Sequence, residues 1–342
     1  MKVATLLAVM TAILVILAGC TPAGTLDKTP AEISSSQTPT HTPVSGITNS
    51  PEVLNTENLS LRIGSLPRVY DIIPYVAQQE GIFQKYNLTV EIISFRSEVE
   101  KDTVMITGDL DGVIEGTFGA VNLNKDVETS KIVGHSFMPY MFNVIASKSS
   151  GITDPVMLEG KEVATSVGTI MEYALDNLLT AAGVDSTKVI LSNVTNMSLR
   201  LEMLNQGKLT AGIFTSPLSD QAVLSGNILL LDDTNQMQGG PGLIFSMKAL
   251  ENKSENIDRF VRAWQEAVRT INADPDKYRS LLISTAKVPD AVASSMEMPV
   301  FPELRLPSQD EVDKITDWMK KKGILTQDIL YSKIVETKFL GN

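Results

Sequence analysis

From Leu59 onward, short apolar stretches of strand length alternate with longer stretches of helical period. Leu59 to Ile63 alternates apolar and polar residues, which predicts a strand. The loop Gly64–Asp71, broken by Pro67, leads into a helix expected over Ile72–Gln84. Leu88–Ile93 reads as the next strand. Ser97 with Glu100 three residues on is a capping pair, opening a helix that closes near Gly108. Asp111–Ile114 reads as a strand, Phe118–Leu123 as a helix, and Lys131–Val133 and Met141–Ser147 as strands.

The alternation then repeats. Strands are expected at Lys161–Thr165, Val189–Ser192, Thr210–Phe214 and Ile228–Leu231. Helices are expected at Thr169–Ala182, Met197–Gln206 and Leu218–Ser225. A Gly-rich bend, Gly239 to Gly242, precedes a last strand, Leu243–Met247. From Ser254 the pattern is almost all helical, with Val261, Trp264, Val268 and Ile271 on one face and a capping pair at Ser308 and Glu311. Strands alternating with helices argue for parallel sheets covered by helices on both faces. Two such blocks and a helical tail predict an α/β protein of two doubly wound lobes. Open sheets of this kind bind ligands beyond the carboxyl ends of their strands.

The first residues obey a different pattern. Lys2 precedes a run, Val3 to Ala18, that is apolar apart from Thr5 and Thr11. The run is shorter than the ~20 residues a membrane-spanning helix needs. It ends in Leu17-Ala18-Gly19-Cys20, which resembles the lipobox of bacterial lipoproteins. That resemblance implies a signal peptide over residues 1–19 and acylation of Cys20. Residues 20–57 are then the lipidated Cys and a linker rich in Thr, Pro and Ser, too poor in large apolar residues to repay its ordering entropy. Such a linker reaches on the order of 35 Å root-mean-square.

Composition narrows the chemistry. Cys20 is the only Cys, which excludes a disulfide framework and a Cys-based metal site. The two His, His41 and His135, join no cluster with metal-ligand spacing. No catalytic set, metal or cofactor is expected. Lys and Arg number 29 against 40 Asp and Glu, with no basic stripe, so nucleic acid is not an expected partner.

Several segments resemble type II periplasmic solute-binding proteins of ABC importers, within the nitrate/sulfonate/taurine and thiamine-pyrimidine-precursor group. They are Leu61 to Pro67, Tyr75 to Phe83, Gly108 to Gly112, Gly168 to Tyr173, Leu199 to Leu204, Ile271 to Pro275 and Val335 to Leu340. The resemblance spans nearly all of Leu59 to Asn342. It implies a two-lobed, hinge-closing receptor that hands a small molecule to an ABC permease with its ATPase. The receptor would be a monomer held outside the cytoplasm by lipidated Cys20. Lobe one is expected over 59–146 and 243–342 and lobe two over 147–242, with crossovers at Met141–Ser147 and Leu243–Met247. The alternatives are an enzyme on the same fold, of the pyrimidine-precursor or chorismate-derived kind, and a ligand-sensing domain for a signalling partner.

Four loops at strand ends are the expected ligand contacts. Ser65, Arg68 and Tyr70 offer a hydroxyl, a forked donor and a flat wall. Glu115, Gly116 and Thr117 stand where the family often has Thr-Asp; Glu115 could take an amine or pair with Arg68. Ser166, Gly168 and Thr169 open a helix, whose free N–H groups suit an anion, although Glu172 could neutralise the same terminus. Thr215 and Ser216 stand where the family often has Pro-Glu. Tyr140, Phe142 and Tyr173 are candidate walls, and Tyr70 or Phe118 could flank a ring. The expected ligand is a sulfonate or carboxylate, or a pyrimidine-like heterocycle.

Overall fold

Leu61 and Ile63 on the first strand are buried while Ser60 and Arg62 face solvent, as the alternation requires. The strand belongs to a computed structural model that describes residues 59–136, 142–234, 242–294 and 296–340. Cys20, His41, the linker, Tyr140 and most of the Gly-rich bend lie outside the described residues.

Among the described residues the strands are β1 (Leu59–Ser65), β2 (Leu88–Ser94), β3 (Gly112–Ile114), β4 (Ser130–His135), β5 (Asn143–Ala146), β6 (Glu162–Thr165), β7 (Ile190–Asn193), β8 (Ala211–Phe214), β9 (Ile228–Asp232) and β10 (Gly242–Ser246). They form two five-stranded sheets, ordered β2-β1-β3-β10-β4 and β7-β6-β8-β5-β9. Both are mixed, not parallel throughout. In the first, β1 runs parallel to β2 and β3, and β10 runs antiparallel to β3 and β4. In the second, β6 runs parallel to β7 and β8, and β5 runs antiparallel to β8 and β9. The antiparallel member of each sheet is the strand that arrives from the other sheet. Such a strand follows no βαβ crossover, so nothing forces it to be parallel. For the same reason β5, expected in lobe one, hydrogen-bonds in the second sheet.

The helices are α1 (Ile73–Gln79), α2 (Ile82–Lys85), α3 (Glu98–Ile106), α4 (Thr117–Leu123), α5 (Ile170–Ala181), α6 (Met197–Asn205) and α7 (Leu218–Leu224). The tail adds α8 (Met247–Asn252), α9 (Ser254–Ala273), α10 (Arg279–Thr285), α11 (Asp290–Ala293), α12 (Gln309–Lys321) and α13 (Tyr331–Ile334). The single helix expected over Ile72–Gln84 is interrupted at Gly81, whose φ of +69° suits glycine and ends α1. α9 buries Phe260, Trp264, Val268 and Ile271, and Phe260 stacks on Phe83 at 5.7 Å. The tail is less helical than its pattern implies. Between α11 and α12 the described chain carries no helix, and Arg305 bridges to His135 at the end of β4. α12 carries a full capping box: Ser308 accepts from Glu311 N at 3.2 Å, and Glu311 accepts from Ser308 N at 2.6 Å. At α3 only half is formed, because Glu100 reaches Arg96 N and not Ser97.

Candidate functional site

The carboxyl ends of β1, β3, β6 and β8 open onto one cleft of about 1380 Å³. Arg68, Tyr70, Glu115, Gly116, Thr117, Ser166, Thr169, Thr215 and Ser216 line it. Phe118, Phe142 and Tyr173 line it too. Ser65 and Gly168 do not. Ser65 is fully buried, with its hydroxyl 3.1 Å from that of Tyr75. Gly168 takes a φ of +78° and spends its N–H on Glu172. The tail adds Lys287, Arg305, Asp310, Glu311 and Lys314 to the wall. The sequence pattern gave no reason to bring these to the same cleft.

The wall on the first sheet is a charge network. Arg68 donates from Nε to Asp71 at 3.0 Å, from Nη1 to Glu98 at 3.3 Å and from Nη2 to the Ile114 carbonyl at 2.8 Å. Its guanidinium also covers the Tyr70 ring, 4.5 Å from the centroid. Burial works against the Arg68 charge, but Asp71, Tyr70 and Glu98 outweigh it and raise its pKa. Arg68 therefore holds the loop together through these partners while lining the cleft. Glu115 does not pair with it. The fully buried Lys101 donates to Glu115 and, at 2.9 Å, to Asp102. Burial opposes the Glu115 charge, but Lys101 outweighs it and holds the carboxyl below its ordinary range. Burial and the neighbouring Glu115 push Asp102 up to about 7. Burial and Glu115 likewise raise Glu98. Two cations thus meet four carboxylates, Asp71, Glu98, Asp102 and Glu115; burial raises the first three, and the Glu115 charge adds to the rise at Glu98 and Asp102. Further along, Thr117 Oγ1 is 3.0 Å from His135 Nδ1, and burial lowers the His135 pKa.

The wall on the second sheet is built of hydroxyls. Thr169 caps α5: its Oγ1 accepts from Met171 N at 3.2 Å and donates to the Ser166 carbonyl at 2.8 Å. The expected capping box takes another form, since Glu172 accepts from Gly168 N at 2.7 Å. Val167 N donates to Asn193 Oδ1 at 3.2 Å. The N–H groups of Val167, Gly168 and Met171, expected to be open to an anion, are thus taken by the chain itself. Ser216 spends its hydrogen on Asp220 at 2.5 Å. Thr215 makes only a 3.6 Å contact to the Met197 sulfur. Ser166 differs. Its Oγ accepts from Arg200 Nη2 at 2.9 Å, and its own hydrogen meets no acceptor among the described residues.

The two walls also touch beside the cleft. α12 packs on α4, against the first sheet, and reaches α5 on the second. Lys322 bonds Glu172 at 2.6 Å and Asp176 at 2.8 Å, and Trp318 Nε1 donates to Asp176 at 2.9 Å. Phe118, Tyr173 and Trp318 form an aromatic cluster there, with centroids 5.5 to 5.9 Å apart.

Residues 70–278 match the family model described as NMT1/THI5 like. The chain belongs to the NMT1/THI5-like family. A protein of Brachyspira hyodysenteriae named as an ABC transporter periplasmic binding protein is 24% identical over 276 residues, 76% of this chain and 75% of that protein. Among solved structures, the alkanesulfonate-binding protein of Xanthomonas axonopodis pv. citri bound to MOPS superposes with a TM-score of 0.67 at 16% identity, over 81% of this chain and 98% of that one. The aliphatic sulphonate binding protein of Escherichia coli gives 0.68 at 17%, over 81% and 92%. The nitrate-binding protein of Synechocystis PCC 6803 gives 0.66 at 12%, over 83% and 87%. These likenesses establish the two-lobed type II periplasmic-binding-protein fold.

Proposed function

We propose that the cleft captures a small organic anion, a sulfonate or carboxylate, and delivers it to the importer. The observation that carries this reading is Lys287. It lines the cleft as an exposed cation, and no carboxylate pairs with it among the described residues. The other cations of the wall have partners: Arg68 with Asp71, Arg96 with Glu100, Arg305 with Glu311, and Lys314 with Asp310. Ser166 supplies a hydroxyl hydrogen on the facing wall. The carboxylate excess around Glu98 and Glu115 favours a ligand whose far end carries hydrogen-bond donors. A flat heterocycle has less support, because Tyr70 lies under Arg68 and Phe118 packs on Tyr173 and Trp318. The names of the sulfonate- and nitrate-binding relatives favour anions as well.

The lobes of this reading are residues 59–136 with 242–340, and 142–234, with β5 assigned to the second. Closure of one on the other buries the ligand and signals occupancy to the permease. The anchor is acylated Cys20, supported by the lipobox and the Thr/Pro-rich linker. Mass spectrometry of protein extracted from membranes reads this directly, and an unmodified thiol at residue 20 refutes it.

A thermal-shift series with ethanesulfonate, benzoate and cytosine tests the ligand class. An anion at a hundredfold its dissociation constant adds ~2.7 kcal/mol and raises Tm. Stabilisation by cytosine but by neither anion overturns the reading.

A further inference from the structure

Arg200 sits on α6 with no solvent exposure. Its guanidinium bonds only to uncharged oxygens. Nε and Nη2 donate to the Val194 carbonyl at 3.0 and 2.6 Å, and Nη1 donates to the Ile213 carbonyl at 2.5 Å. Nη2 also donates to Ser166 Oγ at 2.9 Å. No carboxylate pairs with it among the described residues. Burial pulls its pKa down to about 10, which leaves it charged at neutral pH. A buried cation without a counter-charge is costly, and proteins seldom keep one without a use for it.

The placement indicates the use. Val194 and Ser166 follow β7 and β6, and Ile213 lies near the end of β8. One planar fork thus ties together the ends of three neighbouring strands, which a lysine ammonium cannot do with the same geometry. Of its partners only Ser166 lines the cleft. A hydroxyl that accepts from a cation must turn its own hydrogen elsewhere, and the cation strengthens it as a donor. Thr169 and Ser216, beside it on the wall, have already spent theirs.

We infer that Arg200 is a positioning residue: it fixes the Ser166 hydroxyl as a donor into the cleft and makes that end of the cleft select a charged oxygen over a neutral one. The inference rests on the anion reading above and assigns the residues that enforce it. A purely structural Arg200 would affect stability and leave selectivity alone, so the readout is a ratio. Calorimetry gives the affinities of benzenesulfonate and of its uncharged analogue methyl phenyl sulfone for wild type, Ser166→Ala, Arg200→Lys and Arg200→Met. Wild type is expected to favour the sulfonate by about tenfold or more, the worth of one charged hydrogen bond. Ser166→Ala and Arg200→Met should lower the ratio several-fold, toward the preference that Lys287 alone supplies, with Arg200→Lys between. A ratio unchanged in Ser166→Ala overturns the inference while the anion reading stands, and Ser166→Ala decides the matter if Arg200→Met fails to fold. A wild type without preference overturns the anion reading, and the inference with it.

Discussion

Lys101→Met should cost about 3–5 kcal/mol, the range for removing one partner of a buried ion pair. The cost comes from what remains. Glu115 and Asp102 would be left as partly buried carboxylates without their shared cation. The Glu115 carboxyl lies against α4, in the space a side chain at residue 119 would need. Burial and Glu115 already raise the Asp102 pKa, and loss of Lys101 would raise it further. Urea unfolding reads the loss as a lower midpoint. The double variant Lys101→Met/Glu115→Gln should recover much of it, since it removes charge on both sides. If the double variant is as unstable as the sum of its parts, the network is not what holds this wall.

Glu172→Ala should cost about 3 kcal/mol and should also loosen the cleft, which sets it apart from an ordinary core change. Glu172 is buried and has two jobs. One carboxylate oxygen accepts from Gly168 N and pins the loop that carries Ser166; the other meets Lys322 at the end of α12. The side chain therefore links the ligand loop to the contact between the two walls. Glu172→Gln keeps an acceptor for Gly168 and loses the ion pair, so it should retain more benzenesulfonate affinity than Glu172→Ala. A double-mutant cycle with Lys322→Met should give a coupling energy above about 0.5 kcal/mol. Coupling within error of zero, with binding unchanged in Glu172→Ala, would show that the contact is incidental.

The elements were legible in the sequence where local pattern decides them. The alternation at Leu59–Ile63 and the capping box at Ser308 and Glu311 are both realised, because strand period and cap chemistry are local. Sheet membership is different. Asn143 to Ala146 is buried on every residue, and a strand buried throughout carries no mark of which sheet it will join. The cleft loops were legible from the strand-end rule. The roles of their side chains were not, because Arg68, Glu115 and Thr169 are claimed by partners distant in sequence or by backbone.

Two decisive residues did leave a local signal. Met197, Arg200, Leu201 and Leu204 share one face of α6, and Lys101, Val104 and Met105 share one face of α3. A charge on an otherwise apolar stripe is an anomaly that a count of apolar positions passes over. Each belongs to a buried cation next to the cleft.

The central claim is capture and release of an unaltered small anion. Equilibrium dialysis of the purified protein against benzenesulfonate, followed by mass spectrometry of the recovered compound, tests it most directly. The account predicts one ligand per chain, chemically unchanged and displaced by ethanesulfonate. Recovery of a converted product, or saturation unaffected by a competing anion, would contradict it.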